Sequence, residues 1–164
     1  MRDEVVYSGS KDYVQTFIER ELEGMEANKD KYFHVEVGKF VEYIDKDGNK
    51  TGNGEVKITF DTPILNLTGH EATEEQKADG VVEPSVEDKK RIRELLTFQR
   101  IPTSAELNDR AYELAIIADK YQYIYAMIDG APYMMPALYE ALMRNVIHPV
   151  FSFSETHHIG WVKA

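Results

Sequence analysis

From Pro63 onward the chain alternates short apolar runs with helix-start signatures, and this alternation confines it to a layered α/β fold. Ile64-Leu65-Asn66-Leu67-Thr68 suits a buried strand. Thr73-Glu74-Glu75-Gln76 then forms a capping box, in which threonine and glutamine satisfy each other's free backbone donors. A helix is predicted from Ser85 to Phe98, opened by Pro84-Ser85 with Glu87 and Asp88 in its first turn. Another is predicted from Thr103 to about Tyr121, where Thr103-Ser104-Ala105-Glu106 reads as a second capping box and Leu107, Ala111, Leu114, Ala115 and Ala118 share one face. Tyr123 to Ile128 is nearly all apolar, as a parallel strand covered on both faces should be, and it ends in the turn Asp129-Gly130-Ala131-Pro132. A helix is expected to start at Pro132 and to point Leu138, Ala141 and Leu142 inward. His148 to Phe153 reads as the last strand. A right-handed crossover between parallel strands is the default for such units, so residues 63–164 are expected to form a Rossmann-like parallel sheet with flanking helices.

Residues 1–62 follow a different pattern. Tyr13, Val14, Phe17, Ile18, Leu22 and Met25 recur at helical spacing from Ser10 to about Asp30. Tyr32–Val37 and Lys39–Ile44 read as extended. The Gly/Asn/Asp-rich segment Asp45–Gly54 is turn chemistry, and Glu55–Phe60 alternates like a returning strand. An N-terminal helix and β-hairpin are therefore expected ahead of the main domain, with a turn tip from Asp47 to Gly54 and with Val56, Ile58 and Phe60 facing inward. Asp45-Lys46-Asp47-Gly48-Asn49 lacks the glycine and glutamate spacing of a calcium loop.

Composition narrows the function. A formal charge of −10 repels a long phosphate backbone, and the lysines and arginines are interspersed with acids, so extended nucleic acid is not an expected partner. A small anion held by local groups is still allowed. No apolar run approaches the roughly 20 residues that cross a bilayer, and Met1-Arg2-Asp3-Glu4 does not open a signal peptide, so a soluble cytoplasmic protein with no membrane partner is expected. With no cysteine, thiol chemistry and Cys-ligated zinc are excluded. His157 and His158 are neighbours and would point to opposite sides of an extended segment, so no metal site is expected. Neither a G-x-G-x-x-G fingerprint nor a phosphate loop is present, and no cofactor is expected.

In an open parallel sheet, ligands bind outside the carboxyl ends of the strands. The loops to inspect are Thr68-Gly69-His70-Glu71, Asp129-Gly130-Ala131-Pro132-Tyr133, and Ser154-Glu155-Thr156-His157-His158. Gly69 and Gly130 would let backbone approach a ligand. His70 places an imidazole at that edge, either to move a proton at neutral pH or to fix its loop by hydrogen bonding.

Asn66-Leu67-Thr68-Gly69-His70-Glu71-Ala72-Thr73-Glu74-Glu75-Gln76, then Gly130-Ala131-Pro132-Tyr133-Met134-Met135-Pro136-Ala137-Leu138 and Pro149-Val150-Phe151-Ser152-Phe153-Ser154, resemble the small stand-alone members of the CRISPR-associated Rossmann-fold family. The resemblance covers about the last hundred residues. It implies a homodimer that binds a cyclic oligonucleotide across its two-fold axis. Some members also cut that ligand as metal-independent ring nucleases, with the ribose 2′-hydroxyl as nucleophile. Carried over by position, Thr68, His70 and Thr73 form the first ligand loop and Gly130, Ala131, Pro132, Tyr133 and Met134 the second, and the strand-end loops add Gly69 and Asp129 as ligand-binding candidates. Ser152, Ser154 and Thr156 form the third, and His70 and His157 are the candidate catalytic groups. The sequence departs from the family where Glu155-Thr156-His157-His158 stands in place of a basic residue and where Asp129 adds negative charge near the second turn. The expected function is the binding of a nucleotide second messenger in antiviral defence or its countermeasures, by sequestration or slow cleavage. Two other readings stay open. One is a non-catalytic protein-interaction module, such as an acidic phage-encoded inhibitor of a host defence protein; the other is an enzyme acting on a mononucleotide or nucleoside.

Overall fold

The computed structural model describes residues 1–29, 31–154 and 158–163, with residues 153, 154, 158 and 159 described by their backbone only. The chain divides into two compact units, Arg2–Thr62 and Pro63–Ala164, the latter joined by Met1.

The first unit is a four-stranded antiparallel sheet with one helix. β1 (Arg2–Ser10) leads into α1 (Lys11–Ala27), which Ser10 caps by accepting from the Tyr13 N–H. β2 (Phe33–Val37) and β3 (Val41–Ile44) follow, and then the long β4 (Lys50–Asp61). β4 pairs with β1 along one edge and with β2 and β3 in succession along the other. The expected hairpin is thus the β3–β4 arm of a larger sheet. The charged start Arg2-Asp3-Glu4 gives no strand signal, but pairing with β4 makes residues 2–10 a strand. Val56, Ile58 and Phe60 face inward against Val14, Ile18 and Met25 of α1. The turn is shorter than expected. The Asp45 carboxylate accepts from the N–H groups of Asp47 and Asn49, which closes the chain by residue 49, and residues 50–54 belong to β4. Gly54 is a strand residue at a close approach, where a Cβ would run into the Val41 carbonyl and the Phe40 ring.

The second unit is mixed α/β. Its elements are β5 (Ile64–Asn66), α2 (Glu74–Ala78), β6 (Val81–Val82), α3 (Val86–Leu96), α4 (Ser104–Asp119), β7 (Tyr125–Met127), α5 (Met135–Arg144), β8 (His148–Ser154) and β9 (His158–Lys163). The sheet order is β6-β5-β7-β8-β9, parallel except for the antiparallel edge strand β9. Successive strand residues alternate between two cores, as the pleat requires. Leu65 and Ala126 join Ile92, Leu114, Leu138 and Leu142 in the core shared by α3, α4 and α5, whereas Ile64, Tyr125, Met127 and Val150 form the other with Ala72 and Trp161.

Three local expectations change. The capping box at Thr73–Gln76 is complete, but at Thr103 only the hydroxyl acts, because the Glu106 carboxylate turns to Arg100 and Arg110. α5 begins at Met135 rather than Pro132, since a turn closed by the Met134 N–H on the Ala131 carbonyl comes first. The last segment continues into β9, which carries Trp161 into the second core.

Candidate functional site

β5 has β6 on one side and β7 on the other, so the connections leaving these strands diverge and open a crevice at their carboxyl ends. A cleft of about 340 Å³ lies there. The β5 loop lines it with Thr68, His70, Glu71 and Thr73, and α2 with Gln76. The β7 end contributes Met127, Ile128 and Asp129, and β8 contributes Phe151 and Ser152. His70, Thr73 and Asp129 are solvent-exposed, whereas Thr68 is buried.

The loop that carries His70 is fixed from behind by buried polar groups. Asn66 is fully buried and fully used: its Oδ1 accepts from the Thr68 N–H and hydroxyl, and its Nδ2 donates to the His70 carbonyl at 2.9 Å and to Glu83 Oε1 at 2.7 Å. The Thr68 hydroxyl in turn accepts from the His70 N–H. Glu83 Oε1 also accepts from the Ala72 N–H at 2.6 Å, and Oε2 pairs with the Lys89 ammonium at 2.8 Å. Burial alone would raise the Glu83 pKa, but Lys89, the Ala72 N–H and the Asn66 amide together hold the carboxyl below its ordinary value. Lys89, only 5% exposed, donates to the His70 carbonyl at 2.6 Å. One turn further along α3, Arg93 donates to the Gly69 carbonyl at 2.9 Å and pairs with Glu71 at 2.6 Å. Two consecutive carbonyls of the loop are therefore held by cations four residues apart on one helix.

On the opposite wall, Gln76 Nε2 donates to Ser152 Oγ at 3.0 Å while its Oε1 completes the cap with the Thr73 N–H. This ties α2 to β8 across the cleft. Asp129 accepts from the Gly130 N–H at 2.7 Å and projects its carboxylate at the end of β7.

Thr68, His70, Thr73, Asp129 and Ser152 come together in this cleft. Gly69 belongs to the same loop, but a Cβ there would meet nothing within 4 Å. The rest of the second loop faces elsewhere. A Cβ on Gly130 would press on the Met135 methyl at 3.2 Å, with Leu96 behind it, and Met134 is fully buried in the core. Tyr133 packs edge-on against Phe98, with ring centroids 5.5 Å apart. Ala131 and Pro132 form the turn before α5 and do not line the cleft. The expectations for Thr156 and His157, and for the side chain of Ser154, lie outside the described residues. Among the described residues no three His, Asp or Glu side chains converge as a metal site would require.

Sequence reasoning missed Asn66, Gln76, Glu83, Lys89 and Arg93. The signals were an amide inside an apolar strand, and a lysine on the same α3 stripe as Ile92 and Leu95, all three of them buried.

No helix among the described residues is long and apolar enough to cross a membrane. The family model described as the uncharacterized protein MJ1673 family matches residues 62–159, and the chain belongs to that family. No curated protein and no solved structure matches the chain.

Proposed function

We propose that the second unit is a Rossmann-like domain that binds a nucleotide second messenger, a cyclic oligonucleotide, in antiviral defence or its countermeasures. The observation that carries this reading is the exposed His70 at a strand-order switch point, on a loop immobilised by the buried Asn66–Glu83–Lys89 network. A loop with no role beyond connection needs no buried ion pair, because desolvating two charges costs several kcal/mol each. A working loop does gain from such preorganisation. The resemblance of the Asn66–Gln76 and Pro149–Ser154 segments to CRISPR-associated Rossmann-fold proteins supports the ligand class, and with it a cytoplasmic homodimer that closes a symmetric ligand between two copies.

Sequestration needs only the cleft. In the cleaving form, His70 takes the proton of a ribose 2′-hydroxyl as its oxygen attacks the adjacent phosphorus. The new O2′–P bond replaces the P–O5′ bond, and the 5′-oxygen leaves protonated by solvent water, giving a 2′,3′-cyclic phosphate. A thermal-shift screen against cyclic di-, tri-, tetra- and hexanucleotides tests the reading. A ligand present at a hundred times its Kd adds about 2.7 kcal/mol of stability. A screen in which no nucleotide stabilises the protein contradicts the proposal.

A further inference from the structure

The His70 cleft is poorly suited to hold the ligand's phosphates. Two carboxylates, Glu71 and Asp129, line it, and no lysine or arginine is among the described residues that do. Its volume of about 340 Å³ lies at the small end of the range for small-molecule sites, roughly 300–1,000 Å³.

The neighbouring hollow between α3 and α4 has the opposite character. It encloses about 850 Å³ and is lined by Lys90, Arg93, Arg100 and Arg110 against Glu94 and Glu106. This is a local excess of cations on a chain that carries 19 basic and 29 acidic residues. Arg93 joins it to the cleft through the ion pair with Glu71. Among the described residues Lys90 has no ion pair, and the Arg100 side chain is largely exposed although it meets Glu106 at 2.9 Å. Arg100 also lines a third hollow, walled by Phe98, Ile101, Pro102, Leu107 and Tyr133. There Ile101 is 92% exposed, and the Phe98 ring is braced by Tyr133 on one side and by the Arg110 guanidinium 4.4 Å from its centroid. One loop thus supplies Asp129 to the cleft and, four residues later, Tyr133 to the aromatic wall.

We infer that the ligand spans two subsites: one nucleoside in the His70 cleft, and the next phosphate and base on the basic hollow and its aromatic wall. The inference rests on the nucleotide reading above and deepens it. Guanidinium and ammonium groups attract a phosphodiester that the carboxylate-lined cleft repels, and the half-exposed Tyr133 ring can stack any base. Two linked nucleotides are the smallest ligand that uses both sites.

Calorimetry at low salt with adenosine and with the linear dinucleotide ApA tests this. ApA is expected to bind at least tenfold more tightly than adenosine. Tyr133→Ala and Arg100→Gln should each weaken ApA about tenfold and cost adenosine much less, and Tyr112→Ala, on the exposed face of α4, should change neither. His70→Ala should weaken both. Adenosine binding that depends on His70, with no gain for ApA or equal losses for both ligands in Tyr133→Ala, overturns the two-subsite inference and leaves the nucleotide reading standing. If neither adenosine nor ApA binds while a cyclic oligonucleotide of the screen does, the two-subsite inference falls alone; if no nucleotide of the screen binds either, both fall.

Discussion

Lys89 donates from its buried ammonium to the backbone carbonyl of His70 at 2.6 Å, so a charge inside α3 sets the position of an exposed candidate group in the cleft. The same ammonium neutralises Glu83, whose other oxygen holds the Ala72 N–H and the Asn66 amide. Core, loop and site are thereby one hydrogen-bonded unit.

Removing one partner of that unit strands the other. Lys89→Met leaves the Glu83 carboxylate largely buried and unpaired and should destabilise the second unit by about 3 kcal/mol, the scale for breaking a buried ion pair from one side. Adding Glu83→Gln should recover part of the loss, because a glutamine oxygen still accepts from the Ala72 N–H. Urea unfolding followed by Trp161, the only tryptophan, measures both variants in the unit concerned.

The pH dependence follows from the direction of the Glu83 shift. Its folded pKa is depressed below 4.5, so its stabilising contribution is complete above that value and is lost as the pH falls through the folded pKa. Unfolding midpoints measured from pH 6 downward should fall on this acid limb in the wild type. In Glu83→Gln the contribution is absent, and the limb should be shallower.

α5 ends in a Schellman motif whose left-handed position is filled by a valine. The Ile147 N–H donates to the Leu142 carbonyl and the Val146 N–H to that of Met143, while Val146 has φ +58°. A β-branched residue is strained there, and its side chain is 73% exposed, so it recovers little by packing. Val146→Gly should stabilise the protein by roughly 0.5–1 kcal/mol, the relief of strain less the extra chain entropy of glycine. An unchanged or lowered urea midpoint would show that the valine makes up the strain elsewhere.

Local signals carried much of the fold. The complete box at Thr73–Gln76, the caps at Ser85 and Thr103, and the apolar periodicity of α4 are properties of neighbouring residues, and they placed helix starts to within a residue or so. β9 was not read as a strand although its partner, β8, is the preceding strand; β1 and β6 were not legible because each is a strand by virtue of a partner far along the chain, β4 and β5. For the same reason Lys50–Gly54 read as a turn. In the site, strand-end logic pointed to Thr68, His70 and Asp129, and the family resemblance added Thr73 and Ser152; the cleft brings all five together. It could not separate Tyr133 and Met134 from the cleft, because which way a loop turns is decided by what it packs on, here Phe98 and the helical core.

We propose that the cleft at the carboxyl ends of β5, β7 and β8 holds the nucleotide, with His70 as its working group. The most direct measurement takes the cyclic oligonucleotide that stabilises the wild type and follows its binding by calorimetry and its fate by chromatography in wild type and His70→Ala. The exposed imidazole contributes little to the fold, so the variant should keep the wild-type urea midpoint. If the ligand is cleaved, turnover should drop roughly 10²- to 10⁴-fold while binding persists, the scale for losing a general acid or base. If it is only sequestered, both proteins should return it intact and His70→Ala should bind it more weakly. A His70→Ala protein that binds and processes the ligand as the wild type does would contradict the assignment.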